Sequence, residues 1–130
     1  MGTVNKRILA VDDVPLIREA YRYILSAKGY EVTVAADGVE ALCALEAELP
    51  DLVLLDIDLP RLSGWKVLEA IRSRDEWHEI PVVINSVLPE ASKREHGVDP
   101  RYDVYLDKKA TGQELLSLIG DLLAEEETPV

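Results

Sequence analysis

Asp51-Leu52-Val53-Leu54-Leu55-Asp56-Ile57-Asp58-Leu59-Pro60 decides how this chain is read. The apolar run from Leu52 to Leu55 is short and unbroken, as in a strand buried on both faces. It closes on an aspartate, which stands where a buried strand reaches the rim of its sheet. Ile8-Leu9-Ala10-Val11-Asp12-Asp13 repeats the arrangement with an acid pair, and Val82-Val83-Ile84 is a third such run. Glu31-Val32-Thr33-Val34 alternates instead, which suits an edge strand with one exposed face. Val104-Tyr105-Leu106, flanked by Asp103 and Asp107, is short and fits the opposite edge.

Helical periods lie between these runs. Leu16, Ile17, Ala20, Tyr21, Ile24 and Leu25 recur at helical spacing, with Pro15 near the start and Gly29 as the C-terminal stop. Asp37 with Glu40 forms a capping-box pattern ahead of Leu42 and Leu45; Thr111 with Glu114 forms another ahead of Leu115, Leu118, Ile119 and Leu122. Trp65, Leu68 and Ile71 mark a further stripe, with Trp65 and Trp77 read as core and surface packing and Cys43 as helix packing. The segment between Leu88 and Tyr102 holds Pro89, Gly97, Pro100 and many charges, so it reads as a short helix or an irregular loop. Strands alternating with helices predict an α/β fold, a parallel sheet covered on both faces, with right-handed crossovers.

The chain of 130 residues is sized for one domain with a proper core. Its 48% hydrophobic and 30% charged residues describe an ordinary globular mixture. Asp and Glu number 25 against 14 Lys and Arg, a net charge of −11. That balance argues against direct nucleic-acid binding, which needs a basic surface, and against docking on an anionic membrane. A single cysteine allows no internal disulfide, and the N-terminal residues show no signal pattern, so the expected setting is cytoplasmic. His78 and His96 have polar neighbours and no ligand spacing, and both read as surface residues.

In an open parallel sheet, ligands bind beyond the carboxyl ends of the strands. Those ends carry Asp12 and Asp13, Asp56, Ser86 and Lys108. Carboxylates brought together repel, and burial makes the repulsion worse unless a cation intervenes. Three aspartates against one lysine leave a surplus that one divalent cation cancels, and all-oxygen ligation suits magnesium. With a lysine and a hydroxyl nearby, such a pocket is fitted to bind and transfer a phosphoryl group. Asp56 is the candidate nucleophile, because it stands alone at a central strand end while Asp12 and Asp13 are paired. Taken singly, the same residues read otherwise: Asp12 and Asp13 as a helix cap before Pro15, Asp56 and Asp58 as turn residues, Ser86 as a cap or loop residue, Lys108 as surface and Tyr105 as strand packing.

With these residues in order, the chain resembles a response regulator receiver domain, the CheY-like phosphoacceptor module of two-component signalling, over nearly its whole length. The resemblance rests on Ile8 to Asp13, on Asp51 to Pro60 with Gly64, on Pro81-Val82-Val83-Ile84-Asn85-Ser86 and on Tyr105-Leu106-Asp107-Lys108. It implies a doubly wound, five-stranded parallel sheet of flavodoxin-like order 2-1-3-4-5, a (βα)5 chain whose fourth helical segment is atypical. It implies one receiver domain over residues 1–130, with an ordered core over about 5–124 and an acidic C-terminal tail. By the resemblance, Asp56 accepts a phosphoryl group from a histidine kinase or phosphotransfer protein. Mg2+ is held directly by Asp13 and by Asp56, by Asp12 mostly through water, and by the backbone carbonyl of Asp58. Lys108 grips the phosphoryl group, while Ser86 bonds to it and Tyr105 swings inward as the aromatic switch. The resemblance makes the chain an enzyme only toward itself, in phosphoryl transfer and slow autodephosphorylation. It leaves the downstream protein partner open, and the state a monomer or a weak phosphorylation-dependent dimer.

Several positions depart from the family pattern. Lys109 stands where a proline, often joined by a cis peptide, is usual; a cis bond before a non-proline costs about 3–4 kcal/mol, so either strain is kept or the loop differs. Ala110 replaces a large apolar residue, and Val87 replaces a small one, which predicts narrowed access and slow loss of phosphate. The departures keep a second reading in play, a phosphate-independent protein-binding module with the receiver fold. A remoter reading is a Mg-dependent phosphatase of the haloacid dehalogenase type, offered by Asp56-Ile57-Asp58. Against it stand Pro60 in place of the expected hydroxyl residue, the motif's position on the third strand, and a length short for a cap domain.

Overall fold

The computed structural model describes residues 5–86 and 99–124. The described elements run β1 (Arg7–Val11), α1 (Pro15–Ser26), β2 (Glu31–Ala35), α2 (Gly38–Ala47), β3 (Leu52–Asp56), α3 (Gly64–Ser73), β4 (Val82–Ser86), β5 (Asp103–Asp107) and α4 (Gly112–Ala124). All four strand pairings are parallel, and the order is β2-β1-β3-β4-β5. The alternating strand β2 and the strand around Val104 to Leu106, β5, are the two edges, as the hydrophobic patterns predict, although β5 takes in Asp103 and Asp107 and is as long as the other strands. Most of the segment between Leu88 and Tyr102 lies outside the described residues; Tyr102 itself closes a turn in which its N–H donates to the Asp99 carbonyl at 3.0 Å.

Period-two alternation divides the core. Leu9, Val11, Val53, Leu55, Val82 and Ile84 face α2 and α3, meeting Ala41, Leu45, Val67, Leu68 and Ile71. Ile8, Ala10, Leu52, Leu54 and Val83 point the other way, toward Leu25 of α1 and Leu115, Ile119 and Leu123 of α4. Leu52 to Leu55 are wholly buried, each side chain worth about 1.5–3 kcal/mol of hydrophobic stabilisation. Both capping boxes form. Asp37 Oδ1 accepts from the Glu40 N–H at 2.8 Å, while Thr111 and Glu114 cap one another at 3.1 and 2.8 Å. Gly29 takes φ +92° as the chain leaves α1, a conformation open to glycine.

Two packing expectations are corrected. Trp77 is core, 3% exposed beneath the Arg74 guanidinium, whereas Trp65 is half-buried against Tyr105. Cys43 is exposed, because Ala41 and Leu45 supply the buried face of α2. His78 is half-buried, its ring meeting the Tyr102 ring edge-on, and His96 lies outside the described residues.

Candidate functional site

The chain winds from β1 outward to β2, then returns past β1 to β3, so neighbouring crossovers diverge above β1 and β3. That reversal opens a crevice at the carboxyl ends of the two strands. Val11 pairs with Leu55, which puts Asp12 and Asp56 side by side over the crevice. Asp56 pairs with Asn85, Ser86 pairs with Asp107, and Lys108 follows one residue on. Asp12 is fully buried and Asp56 is 2% exposed. One carboxylate oxygen from each of Asp12, Asp13 and Asp56 lies within 4.8 Å of the others. Lys108 Nζ donates to Asp56 Oδ2 at 3.0 Å and reaches Asp12 Oδ2 at 3.5 Å.

Backbone donors hold these carboxylates in place. Asp56 Oδ1 accepts from the Asp58 N–H at 3.0 Å, and Asp12 Oδ1 from the Val14 N–H at 3.0 Å. The position before α1 is Val14, with no side-chain cap, so the acid pair is not spent on capping the helix. Past Asp56 the chain turns tightly enough that a Cβ on Gly64 would lie 2.4 Å from the Asp56 carbonyl oxygen, an approach that glycine allows.

Burial is the main cause that pushes the Asp56 carboxyl above its usual value, with the charge of Asp12 adding to it against the pull of Lys108 and the Asp58 N–H. Burial alone would lower Lys108, but its hydrogen bond to Asp56 and the charges of Asp56 and Asp12 hold its ammonium above the usual value. The site's own side chains set three carboxylates against one ammonium, an excess of negative charge. Its oxygen-only donor set, with Asp13 exposed to solvent, fits a hard divalent cation such as Mg2+.

A stability effect follows from Asp56. Its folded value lies above the unfolded 3.8, so the carboxyl favours the fold fully below that pH, and the benefit is lost as pH rises through the folded value. At neutral pH the ionised group is a cost. Without metal, Asp56→Asn is expected to melt a few degrees above the parent at pH 7 and by a smaller margin near about pH 4. Scanning calorimetry across that range checks it, and a lower melting temperature for the variant at pH 7 contradicts it.

The structure thus brings together Asp12, Asp13, Asp56 and Lys108, and sets the exposed Asp58 next to them through its N–H. Ser86 is placed by its backbone at the end of β4, while Val87 lies outside the described residues. Tyr105 is half-buried on β5, its ring 6.5 Å from Trp65. The Lys108–Lys109 peptide is trans. Trans is the ordinary state before a non-proline residue, and the Lys109 N–H, which a proline would lack, donates to Asp107 Oδ1 at 2.8 Å. Sequence reasoning passed over Arg18, whose Nη1 donates to the Asp12 carbonyl at 2.9 Å. It also passed over Asn85, a buried carboxamide that donates to the Tyr21 hydroxyl. Burial first, then the Asp12 charge, pushes that hydroxyl up to about 12. A polar residue ending the apolar run Val82 to Ile84 was the visible signal.

The family model of the response regulator receiver domain matches residues 8–120. The chain belongs to that family. The response regulator MprA of Mycobacterium leprae is 41% identical over 117 residues, 90% of this chain and 50% of that protein. The receiver thus spans about half the length of the curated relatives it matches. A CheY-like receiver domain protein from Methanospirillum hungatei superposes with a TM-score of 0.86 at 31% identity, covering 95% of this chain and 98% of that one. The response regulator TrrA of Thermotoga maritima, solved in complex with Mg2+-BeF, superposes with a TM-score of 0.77 at 33% identity, covering 90% and 98%. Receiver domains of two-component systems are signalling modules rather than turnover enzymes, and the doubly wound sheet and its order are those the motifs imply. No described helix is long and apolar enough to cross a membrane.

Proposed function

We propose that this receiver is a phosphorylation-operated switch, taking a phosphoryl group on Asp56 from a histidine kinase or phosphotransfer protein and changing its affinity for a downstream protein. The observation that carries the reading is the buried Asp56 carboxylate, held by Lys108 and the Asp58 N–H within the three-aspartate cluster. One Asp56 oxygen attacks the phosphorus of the donor. An O–P bond forms, the donor's N–P or O–P bond breaks, and the leaving group takes the electron pair and a proton from solvent. The Asp58 N–H orients the carboxylate, and the Lys108 ammonium keeps its proton and pairs with a phosphoryl oxygen. Asp12, Asp13, Asp56 and the Asp58 backbone carbonyl would hold Mg2+, which would supply positive charge to neutralise the phosphoryl oxygens. Ser86 and Tyr105 are the residues whose movement carries the change outward.

Fluorine NMR with Mg2+ and beryllofluoride, a phosphoryl mimic, tests the reading. Bound signals are expected in the parent only when Mg2+ is present, and none in Asp56→Asn. A folded parent that binds Mg2+ but never the mimic would instead support the phosphate-independent module.

A further inference from the structure

The loop from Ile57 to Ser63 carries Asp58, and its shape rests on an unusual residue. Arg61 takes φ +64°, the one non-glycine residue with positive φ among the described residues. The Leu62 N–H donates to the Pro60 carbonyl at 2.6 Å, closing a γ-turn centred on Arg61. A positive-φ γ-turn is rare and strained, and a side chain larger than glycine persists there only where its surroundings demand it. Here the demand is visible. Arg61 Nε lies 3.0 Å from Asp37 Oδ2 and its Nη2 lies 3.3 Å from Oδ1, a two-point guanidinium–carboxylate contact.

Asp37 is itself fixed. It is 8% exposed and caps α2 through the Glu40 N–H; that hydrogen bond, with the Arg61 guanidinium, holds its carboxyl below the usual range. The next residue, Gly38, adjoins the same loop so closely that a Cβ would lie 2.1 Å from the Leu62 carbonyl oxygen. At the near end, Ile57 accepts from the Leu59 N–H at 3.0 Å and from the Gly64 N–H at 2.9 Å. The loop is therefore closed on Ile57, the residue after β3, at one end and held to the start of α2 at the other, with Asp58 between.

We propose that Arg61 is a positioning residue: its contact with Asp37 holds the strained turn so that the Asp58 backbone is kept at the geometry the cation site uses. The inference rests on the proposed magnesium-dependent switch. Partners that hold a metal's ligands in place, without touching the metal, typically account for 10–100-fold in affinity. The Arg61 contact therefore acts on cation affinity, not on the stability of a core it does not enter.

The test measures Mg2+ dissociation constants by calorimetry on the intact chain, with amide hydrogen exchange of residues 57–63 and the melting temperature alongside. Arg61→Gly removes the guanidinium and relieves the strain, and Asp37→Asn keeps a capping oxygen while removing the charge. Each is expected to weaken Mg2+ binding about tenfold and to speed exchange at Asp58 and Leu59, with the melting temperature nearly unchanged. The double variant is expected to be no weaker than either single one, because both delete the same contact. Arg61→Lys is expected to recover much of the affinity. Folded Arg61→Gly that binds Mg2+ within twofold of the parent overturns the proposal alone. A parent that takes up no Mg2+ overturns the switch reading and this proposal with it.

Discussion

Lys108→Met is expected to slow phosphoryl uptake by about 10²–10³-fold, the usual loss when a preorganised donor to developing charge is removed. The geometry explains why the loss falls on transfer: Nζ sits 3.0 Å from the acceptor oxygen, where an incoming phosphoryl oxygen needs a cation. A second consequence separates charge from packing. Without Lys108, the buried carboxylates of Asp12 and Asp56 face each other with no ammonium between them. The metal-free variant is expected to be less stable than the parent at pH 7 and to recover as pH falls and Asp56 takes up a proton, or when Mg2+ is added. Uptake rates by intact mass and urea melts across pH check both parts. An uptake rate within threefold of the parent contradicts the assigned role.

The other large effect lies at the far end of the sheet. Arg72 of α3 reaches Asp103, the first residue of β5, whose side chain is fully buried. The same guanidinium donates to the His78 carbonyl at 3.0 Å, and Asp103 Oδ2 accepts the Asp99 N–H at 2.7 Å, so one ion pair fixes three segments. Arg72→Met leaves a buried carboxylate without its cation, a loss of about 3–5 kcal/mol, equivalent to roughly 10–20 °C in a domain this size. Pairing it with Asp103→Leu is expected to restore much of the loss, because no uncompensated charge remains. Urea unfolding of the single and double variants tests this. A single-variant loss under about 1 kcal/mol contradicts it. Phosphoryl uptake by the folded fraction should not change, since the pair sits at the opposite strand ends from Asp56.

What the sequence disclosed depended on the range of the interactions involved. Unbroken apolar runs ending in aspartate marked the buried strands, and capping boxes at Asp37 and Thr111 marked helix starts, because both signals are local. The convergence of Asp12, Asp56 and Lys108 was legible once strand ends were known to share a rim. Lys109 and Cys43 were harder. The acceptor that the Lys109 N–H finds depends on how the loop is folded, and the exposed face of α2 depends on how the helix is turned against the sheet. Arg61 carries no sequence signal of its own: a left-handed arginine is recognisable only beside Asp37, 24 residues away and on another element. Asn85 was visible as a polar residue closing an apolar run, but its bond to Tyr21 spans 64 residues.

The central claim is that Asp56 takes up a phosphoryl group. Its most direct test is the intact mass of the parent and of Asp56→Asn after incubation with a small phosphodonor, with and without Mg2+. The expected result is a gain of one phosphoryl group in the parent, dependent on Mg2+ and absent in the variant. A folded, Mg2+-binding parent that gains no mass, or an Asp56→Asn protein that gains as much as the parent, would contradict it.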